Sequence, residues 1–194
     1  GADILAGLDG NDTYIVDNAG DVVFELPNKG SDMVQSSVTY TLAANVENLT
    51  VTGTTAINGT GNGLNNVLTG NSAANTLTGA DGADSLRGNG GTDSLNGGNG
   101  NDSFLFGHGE GQDLIQDNSG TADNLLYDAG INPLDLIISR QVNDLRIAIH
   151  GTTDQVMIQN WYMGRTNRTE RAAVPGARAM GTRRRPLQHP RMRA

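Results

Sequence analysis

The chain has 194 residues, no Cys, 27 Gly, 4% aromatic residues and a formal net charge of −8. Without Cys it can form neither a disulfide scaffold nor a thiol nucleophile, and no apolar run approaches the roughly 18 residues that a membrane-spanning helix needs. Glycine is present at about twice its usual share of roughly 7%, which predicts an architecture that requires backbone freedom at many positions.

Charge is distributed unevenly along the chain. Residues 1–164 carry twenty acidic side chains and four basic ones, whereas residues 165–194 carry nine arginines and a single acid, Glu170. These opposite compositions predict that the two parts do not form one continuous protein surface. The chain begins at Gly1, inside a repeat and without a signal-peptide pattern, so we expect it to be a piece of a longer protein.

Residues 1–35 repeat an acidic side chain at a fixed interval. The first three members of the series are nine residues apart and the fourth follows after eleven: Asp3, Asp12, Asp21 and Asp32. Each is followed two positions later by an apolar residue, in order Leu5, Tyr14, Val23 and Val34. We interpret this segment as a first, partial array of repeats.

Residues 36–59 alternate apolar and polar side chains instead of repeating every nine positions. The apolar series Val38, Tyr40 and Leu42 is followed by Leu49 and Val51. This alternation predicts two strands joined by a turn at 43–48.

Residues 60–117 contain the more regular array. Five apolar residues lie nine positions apart: Leu68, Leu77, Leu86, Leu95 and Phe104. Two residues before each stands an acid or its amide, in order Asn66, Asn75, Asp84, Asp93 and Asp102. In the last three repeats a glycine lies two positions further back, at Gly82, Gly91 and Gly100, and the array then stretches by two residues to Asp113 and Ile115.

A period of nine residues does not fit a helix, whose faces repeat every three or four residues. It suffices for a turn of about six residues and a strand of about three, whose middle side chain points inward. We therefore expect two nonapeptides to complete one coil of a solenoid, with turns on the same edge stacked about 18 residues apart.

Stacking of the turns would bring the acidic side chains together. The expected pairs are Asp84 with Asp102, Asp93 with Asp113, Asp3 with Asp21, and Asp12 with Asp32. Neighbouring carboxylates repel each other unless a cation lies between them, and a site of carboxylate and carbonyl oxygens favours Ca²⁺ over Mg²⁺. The alternative is that these Asp residues are solvated turn residues that bind no ion.

Residues 118–163 have a different pattern, with three β-like runs between 134 and 162. Pro133 and Gly151 mark two of the turns, so we predict three antiparallel strands. Their expected role is to cap the open end of the solenoid, because an exposed last coil is an edge prone to aggregation.

The segment GGNGNDSFL at 97–105 fits the nonapeptide pattern G-G-x-G-x-D-x-U-x at every position, and GLDGNDTYI at 7–15 departs only at its second glycine. Residues 1–163 thus resemble the repeat region of an RTX, or haemolysin-type, calcium-binding protein exported by bacterial type I secretion. The resemblance implies an all-β fold: a parallel β-roll, which is a solenoid of glycine-rich nonapeptide repeats, capped by antiparallel strands. Residues 36–59 resemble the spacer between two roll segments, and residues 123–163 resemble the haemolysin-type calcium-binding related region.

The resemblance also implies Ca²⁺ ligands by position. These would be the side chains of Asp3, Asp12, Asp21, Asp32, Asp84, Asp93, Asp102 and Asp113, completed by turn carbonyls at Gly82, Gly91, Gly97, Gly98 and Gly100. Asn66 and Asn75 depart from the pattern, and Leu64 and Ala73 stand where the pattern has Gly. An amide offers one neutral oxygen and no charge, so we expect these two coils to be poor in metal and to stack through the amides.

For function we expect a non-enzymatic calcium-binding module that folds on Ca²⁺ outside the cell, as part of a larger secreted protein. No catalytic constellation occurs in the sequence, and no glycine-rich string has the context of a phosphate loop, so nucleic acid is not an expected partner. The expected partners are calcium ions and, through the parent protein, the type I secretion machinery, with a host or matrix surface left open. Two alternatives remain: an adhesive or spacer solenoid of an adhesin, and an appendage of a secreted protease or lipase.

The expected organisation is a first roll at 1–35, a strand spacer at 36–59, a second roll at 60–117, a cap at 118–163 and a basic tail at 164–194. The tail contains nine arginines and no strand pattern. It fits either a basic arm for anionic surfaces or, as we favour, a disordered or out-of-frame segment.

Overall fold

The structure is a computed structural model that describes residues 1–117, 119–120 and 122–163, together with the strand at 169–173. Within these residues it contains eighteen strands and one short 3-10 helix, Pro133–Asp135. The strands of the roll are β1 (Ile4–Ala6), β2 (Thr13–Val16), β3 (Val22–Phe24), β4 (Met33–Ser36), β5 (Tyr40–Thr41), β6 (Asn48–Val51), β7 (Gly59–Thr60), β8 (Val67–Thr69), β9 (Thr76–Asp81), β10 (Ser85–Arg87), β11 (Ser94–Asn99), β12 (Ser103–Phe106), β13 (Gln112–Ile115) and β14 (Asp123–Tyr127). The remaining strands are β15 (Leu136–Gln141), β16 (Asp144–Ile149), β17 (Gln155–Ile158) and β18 (Thr169–Ala173).

The described strands form a parallel β-solenoid with two long sheets. One sheet has the order β18-β14-β12-β10-β8-β6-β4-β2 and the other β15-β16-β17-β13-β11-β9-β7-β5, while β1 pairs with β3. Alternate strands therefore belong to opposite sheets, and each strand pairs in parallel with the one a full coil away, as Leu86 does with Leu68 and Phe104. The expected parallel β-roll is confirmed.

The core is the column of inward-pointing apolar side chains that the nine-residue period predicts. In the regular array Leu68, Leu77, Leu86, Leu95 and Phe104 are all at most 2% exposed. Their neighbours along the strands point outward, which gives patterns of alternating burial in strands of three to six residues. Full burial of such a side chain contributes about 1.5–3 kcal/mol, so the regular array is held by at least one large apolar residue from each of the strands β8 to β12.

Residues 36–59 extend the roll and do not separate two rolls. The strands expected on either side of the 43–48 turn are present as β5 and β6, but they lie in different sheets and do not pair with each other. β6 pairs in parallel with β4 and β8, and β5 pairs with β7. The interpretation as a spacer is wrong, because the apolar alternation that suits a hairpin equally suits strands one half-coil apart.

The C-terminal end combines antiparallel and parallel strands. β15, β16 and β17 are antiparallel to one another, which confirms the prediction for 134–162, and β17 joins the roll through parallel pairing with β13. β14 pairs in parallel with β12, so the expectation of an antiparallel cap from residue 118 onward is wrong for this strand. The carboxylate of Asp154 fastens the cap to the roll, since it accepts N–H hydrogen bonds from Gly109 at 2.8 Å and Gly111 at 3.1 Å.

A strand lies within the basic tail, where we predicted none. β18 pairs in parallel with β14 and extends the first sheet by one strand. Pairing of this kind uses the backbone N–H and C=O groups at an open sheet edge, which need no alternating side-chain pattern. The rest of the tail, at 164–168 and 174–194, lies outside the described residues, and so does the prediction of disorder or a changed reading frame there.

Glycine is required where successive turns touch. Gly100 has a φ of 142°, and a Cβ added there would lie 1.6 Å from the carbonyl oxygen of Gly82 in the preceding coil. Any other residue would strain the backbone and push the two coils apart.

No helix among the described residues is long and apolar enough to cross a bilayer.

We expect Gly100→Ala to lower the free energy of unfolding by at least about 2 kcal/mol, since the positive φ alone costs roughly 1–3 kcal/mol and the methyl group meets backbone. Urea unfolding of the calcium-loaded chain measures the change. Gly63→Ala is the matched control, because Gly63 lies in a turn with open space around its Cβ position, and we expect it to change stability by less than about 0.5 kcal/mol. Equal losses in the two variants would contradict the stacking argument.

Candidate metal centre

The turns stack the acidic side chains into two columns, one along each edge of the roll. The first acidic column stands at the starts of the strands of one sheet and comprises Asp12, Asp32, Glu47, Asn66, Asp84, Asp102 and Asp123. The second acidic column comprises Asp3 and Asp21 and, further along the roll, Asn75, Asp93 and Asp113. Between its two parts Ile57, a buried apolar residue, takes the position one coil before Asn75.

Each carboxylate is positioned by the coil before it. The backbone N–H of Asp84 donates to Oδ1 of Asp102 at 2.8 Å, and the N–H of Asp93 donates to Oδ1 of Asp113 at 3.0 Å. The same bond joins Asp3 to Asp21 at 2.9 Å and Asp12 to Asp32 at 2.8 Å. The structure therefore brings together all four pairs that the stacking predicted.

The second oxygen of most of these carboxylates is buried and, among the described residues, accepts no hydrogen bond. This holds for Oδ2 of Asp12, Asp32, Asp84, Asp93, Asp102 and Asp113. Burial of an ionised oxygen without compensation costs several kcal/mol. A row of such atoms along the edges of the roll is the arrangement that a bound cation would satisfy.

At Asp84, Asp93 and Asp102 a glycine five positions earlier leaves the space in which that oxygen lies. A Cβ on Gly79 would stand 2.2 Å from Oδ2 of Asp84 and 2.4 Å from the carbonyl oxygen of Gly97 in the next coil. Gly88 leaves the same space for Oδ2 of Asp93, at 2.2 Å. A carboxylate oxygen and a carbonyl oxygen that converge in this way are ligands that Ca²⁺ takes.

The predicted carbonyl ligands differ in what they face. Gly97 O faces the unpartnered oxygen of Asp84, whereas Gly98 O accepts a hydrogen bond from the Ser119 hydroxyl. Gly91 O accepts the N–H of Gln112 at 3.1 Å.

The carbonyls of two other predicted glycines approach the next coil. Gly82 O lies against Gly100, and Gly100 O lies 2.2 Å from the Cβ position of Gly120. Gly97 therefore has the clearest position for a ligand.

The Asp3–Asp21 pair differs from the other pairs. Oδ1 of Asp21 accepts the N–H of Asp3, and Oδ2 accepts the N–H groups of Asp17 and Asn18 at 3.2 and 3.1 Å. These hydrogen bonds, led by that of Asp3, lower the pKa of Asp21. Both oxygens are thus occupied by backbone donors, as in the alternative of a turn residue without an ion.

The two Asn coils satisfy their polar atoms internally. Oδ1 of Asn66 accepts the N–H of Asn62 at 2.7 Å, and its Nδ2 donates to the carbonyls of Val46 and Glu47 at 3.3 and 3.2 Å. Oδ1 of Asn75 accepts the N–H of Asn71 at 2.8 Å and its Nδ2 donates to Ile57 O at 2.6 Å. The amide nitrogens thus bond to carbonyls of the preceding coil, as the expected stacking through the amides requires; that these coils are poor in metal stays a prediction.

Several acidic residues of the columns and turns were not predicted as metal ligands from the sequence. Glu47 and Asp123 belong to the first acidic column, and each precedes a buried Leu by two positions, the same spacing that identified the other members. Glu25 lies with Asp12 and Asp32 in a group of three carboxylates. Glu25 accepts a hydrogen bond from the Tyr14 hydroxyl, and no repeat spacing marks it.

A fourth missed residue, Asp117, lies with Asp102 and Asp123 in another group of three carboxylates. Asp117 follows the end of β13 and belongs to no repeat. Nothing in its spacing distinguishes it from a solvated loop residue, so only the conformation of the turn reveals its position.

One cation near the columns comes from the chain itself. The guanidinium of Arg87 donates to Glu110, with Nε 2.7 Å from Oε1, and also bonds to Asp128. The space beside Gly107 contains Oδ2 of Asp128 at 2.3 Å and Nη2 of Arg87 at 3.0 Å from the Cβ position. Here one guanidinium is shared by two carboxylates and offsets one of their two negative charges.

Burial favours the protonated form of the column carboxyls. It raises the pKa of Asp84 and of Asp93 to about 6, and that of Asp113 to about 8. Burial also raises the pKa of Asp102. Without a cation, protons relieve the repulsion between these groups.

Comparison with known proteins agrees with this chemistry. The family model of the RTX calcium-binding nonapeptide repeat, four copies long, matches residues 1–23, 60–95 and 69–104. The model of the haemolysin-type calcium binding protein related domain matches residues 144–172. No curated protein matches the chain. The chain therefore carries RTX calcium-binding repeats followed by a haemolysin-type calcium binding protein related domain, and Ca²⁺ is the ion of these repeats.

We expect the calcium-free chain to become more stable as the pH falls from about 8 to about 5. The folded carboxyls have pKa values of about 6 to 8, above roughly 3.9 in an unfolded chain, so the folded state binds more protons and its stability declines as the pH rises. Far-UV circular dichroism in chelator at several pH values measures this as a gain of β-structure toward low pH. Stability that rises with pH over this window would contradict the burial of these groups.

Proposed function

We propose that this chain is a calcium-dependent folding module of a larger secreted protein. The chain carries calcium-binding repeats. The observation that supports a folding role is the row of buried Oδ2 atoms without a hydrogen-bond partner in the described part of the chain. Without a cation these carboxylates repel each other and lose their hydration, whereas a cation between them removes both costs.

The energetics fit a switch at extracellular calcium levels. For a Kd of about 10⁻⁴ M, typical of the tighter extracellular sites, about 1 mM Ca²⁺ stabilises the folded state by roughly 1.4 kcal/mol per site. Several such sites together reach the lower end of ordinary domain stability, about 5 kcal/mol. Occupancy of the columns would thus decide whether the roll is folded.

The charge of the chain supports a role in export. Twenty acidic side chains against four basic ones in residues 1–164 would keep a calcium-free chain expanded in a calcium-poor cytosol. With no Cys, no disulfide would obstruct passage through a channel. We therefore place the function outside the cell, with the type I secretion machinery as a partner through the parent protein and a host or matrix surface as a further candidate.

We further propose that the chain itself catalyses no reaction. RTX repeats are a structural module. The repeat explains the spacing of the Asp residues without assigning them a role in acid–base catalysis. A secreted protease or lipase upstream of this segment is compatible with the proposal, because the module would then help its catalytic partner to fold after export.

The second candidate function is an adhesive or spacer solenoid. The specific observation in its favour is the pair of Asn coils, where Asn66 and Asn75 satisfy their amides without an ion. A roll held by such coils and by its apolar core would be rigid in the absence of calcium.

A calcium titration of the full chain, followed by far-UV circular dichroism, distinguishes the two functions. We expect a cooperative gain of β-structure at sub-millimolar to millimolar Ca²⁺, because the ion removes the repulsion in the columns, and no such gain with Mg²⁺. A chain that is already folded in chelator and does not respond to Ca²⁺ would exclude the switch and leave the spacer.

Removal of a single column carboxylate should weaken the switch. We expect Asp93→Asn to move the midpoint of the titration to higher Ca²⁺ and to cost the calcium-loaded chain roughly 1–2 kcal/mol, about the contribution of one site. Asp102→Asn should act in the same direction. Asp135→Asn is the control, since it removes the same charge from an exposed residue outside the columns. The same shift in all three variants would indicate an effect of net charge alone.

A further inference from the structure

Three carboxylates converge where the roll meets the C-terminal strands. Asp102 precedes β12, Asp117 follows β13 and Asp123 begins β14, and each offers a ligand oxygen within 4.8 Å of the others. All three residues are at most 3% exposed. Asp117 and Asp123 lie outside the segments that match the repeat and the related domain.

Two of these side chains point a buried oxygen at the cluster with no hydrogen bond from the described residues. These atoms are Oδ2 of Asp102 and Oδ2 of Asp117. Asp123 differs, because its Oδ1 accepts the N–H of Asp102 at 2.8 Å and is thereby held in place. Three carboxylates this close cannot all be ionised without a counter-charge.

Asp117 brings a non-repeat carboxylate to the end of the regular array. Beside Gly79, the oxygen of Asp84 is joined by the carbonyl oxygen of Gly97. Beside Gly97 the three nearest atoms belong to the side chain of Asp102, just as those beside Gly88 belong to Asp93. What distinguishes Asp102 is the carboxylate of Asp117 near it.

A backbone oxygen lies beside the Asp123 carboxylate. Gly100 O lies 2.2 Å from the Cβ position of Gly120, and both carboxylate oxygens of Asp123 lie within 2.8 Å of the same point. The donor set is therefore made only of oxygen and carries up to three negative charges. Such a set suits a hard divalent cation, and a higher count of charged ligands raises affinity for Ca²⁺.

We propose that Asp102, Asp117 and Asp123 form a terminal calcium site that uses a non-repeat carboxylate and binds the ion more tightly than the interior sites. The proposal rests on the calcium-binding function proposed above. The ion would tie the end of β13, in one sheet, to the starts of β12 and β14 in the other. Because β14 also pairs with β18, this site would couple occupancy of the roll to the C-terminal strands.

The test is a pair of substitutions at Asp117, measured in the full chain by calorimetric titration with CaCl₂. We expect Asp117→Asn to lose the tightest class of sites or to weaken it at least about tenfold, with the weaker sites unchanged. Asp117→Glu keeps the charge and should retain the tight class. Asp135→Asn is the control for net charge and should match the unsubstituted chain.

The content of β-structure in chelator separates a ligand from a merely structural residue. In calcium-free buffer Asp117→Asn should show as much β-structure by far-UV circular dichroism as the unsubstituted chain, or more, because it removes a buried charge, whereas with Ca²⁺ it should be less stable to urea. Unchanged calcium affinities in Asp117→Asn, or less β-structure than the unsubstituted chain in calcium-free buffer, would overturn the terminal site. If the unsubstituted chain binds no Ca²⁺, the proposed function fails as well, and the two failures are therefore distinguishable.

Discussion

The roll depends on one interaction, the hydrogen bond from a backbone N–H to the carboxylate one coil further along. In Asp84 and Asp102 this bond uses Oδ1 and leaves Oδ2 buried against the glycine five positions earlier. The same side chain therefore sets the spacing of the coils and buries a carboxylate oxygen close to other carboxylates. A neutral side chain could make the bond, but it would not make the fold dependent on an ion.

The charge at these buried positions is treated in three different ways along the roll. At Asp84 and Asp93 the buried oxygens accept no hydrogen bond from the described residues, so a hard cation would compensate their charge. At Asn66 and Asn75 the charge is absent, and the amide nitrogen donates to carbonyls of the preceding coil. At Glu110 and Asp128 the counter-charge is the guanidinium of Arg87. Only the first depends on the concentration of an ion, so the distribution of Asp, Asn and Arg along the edges would determine how much of the roll responds to calcium.

The repeat period predicted the fold well, because each nonapeptide contains the residues that form a strand, a turn and the contact with the next coil. The apolar residue sets the inward direction, the Asp sets the stacking, and the glycines make the turn, so the pairing of Asp84 with Asp102 follows from spacing alone. Prediction failed where the same structure arises without the full motif. Glu47 and Asp123 keep the position two residues before a core Leu but lack the regular interval, since they follow their column neighbours after 15 and 21 residues. Glu25 and Asp117 reach the columns from turns whose conformation no period encodes, and β18 joins a sheet edge through backbone groups that are independent of its sequence.

A fold that switches on calcium must remain unstable without it, and this constrains both ends of the roll. Beside Asp84 the carbonyl oxygen of Gly97 in the next coil approaches the buried carboxylate, and Asp102 stands where the regular nine-residue spacing ends. The chain supplies Asp117 near Asp102 at this point, and Glu25 accompanies Asp12 and Asp32 near the other end of the same column. Each extra carboxylate strengthens attraction for a cation and equally strengthens repulsion in its absence. The ends of the column would then be the parts of the roll that gain most from calcium, whereas the Asn coils between them hold their stacking with no ion at all.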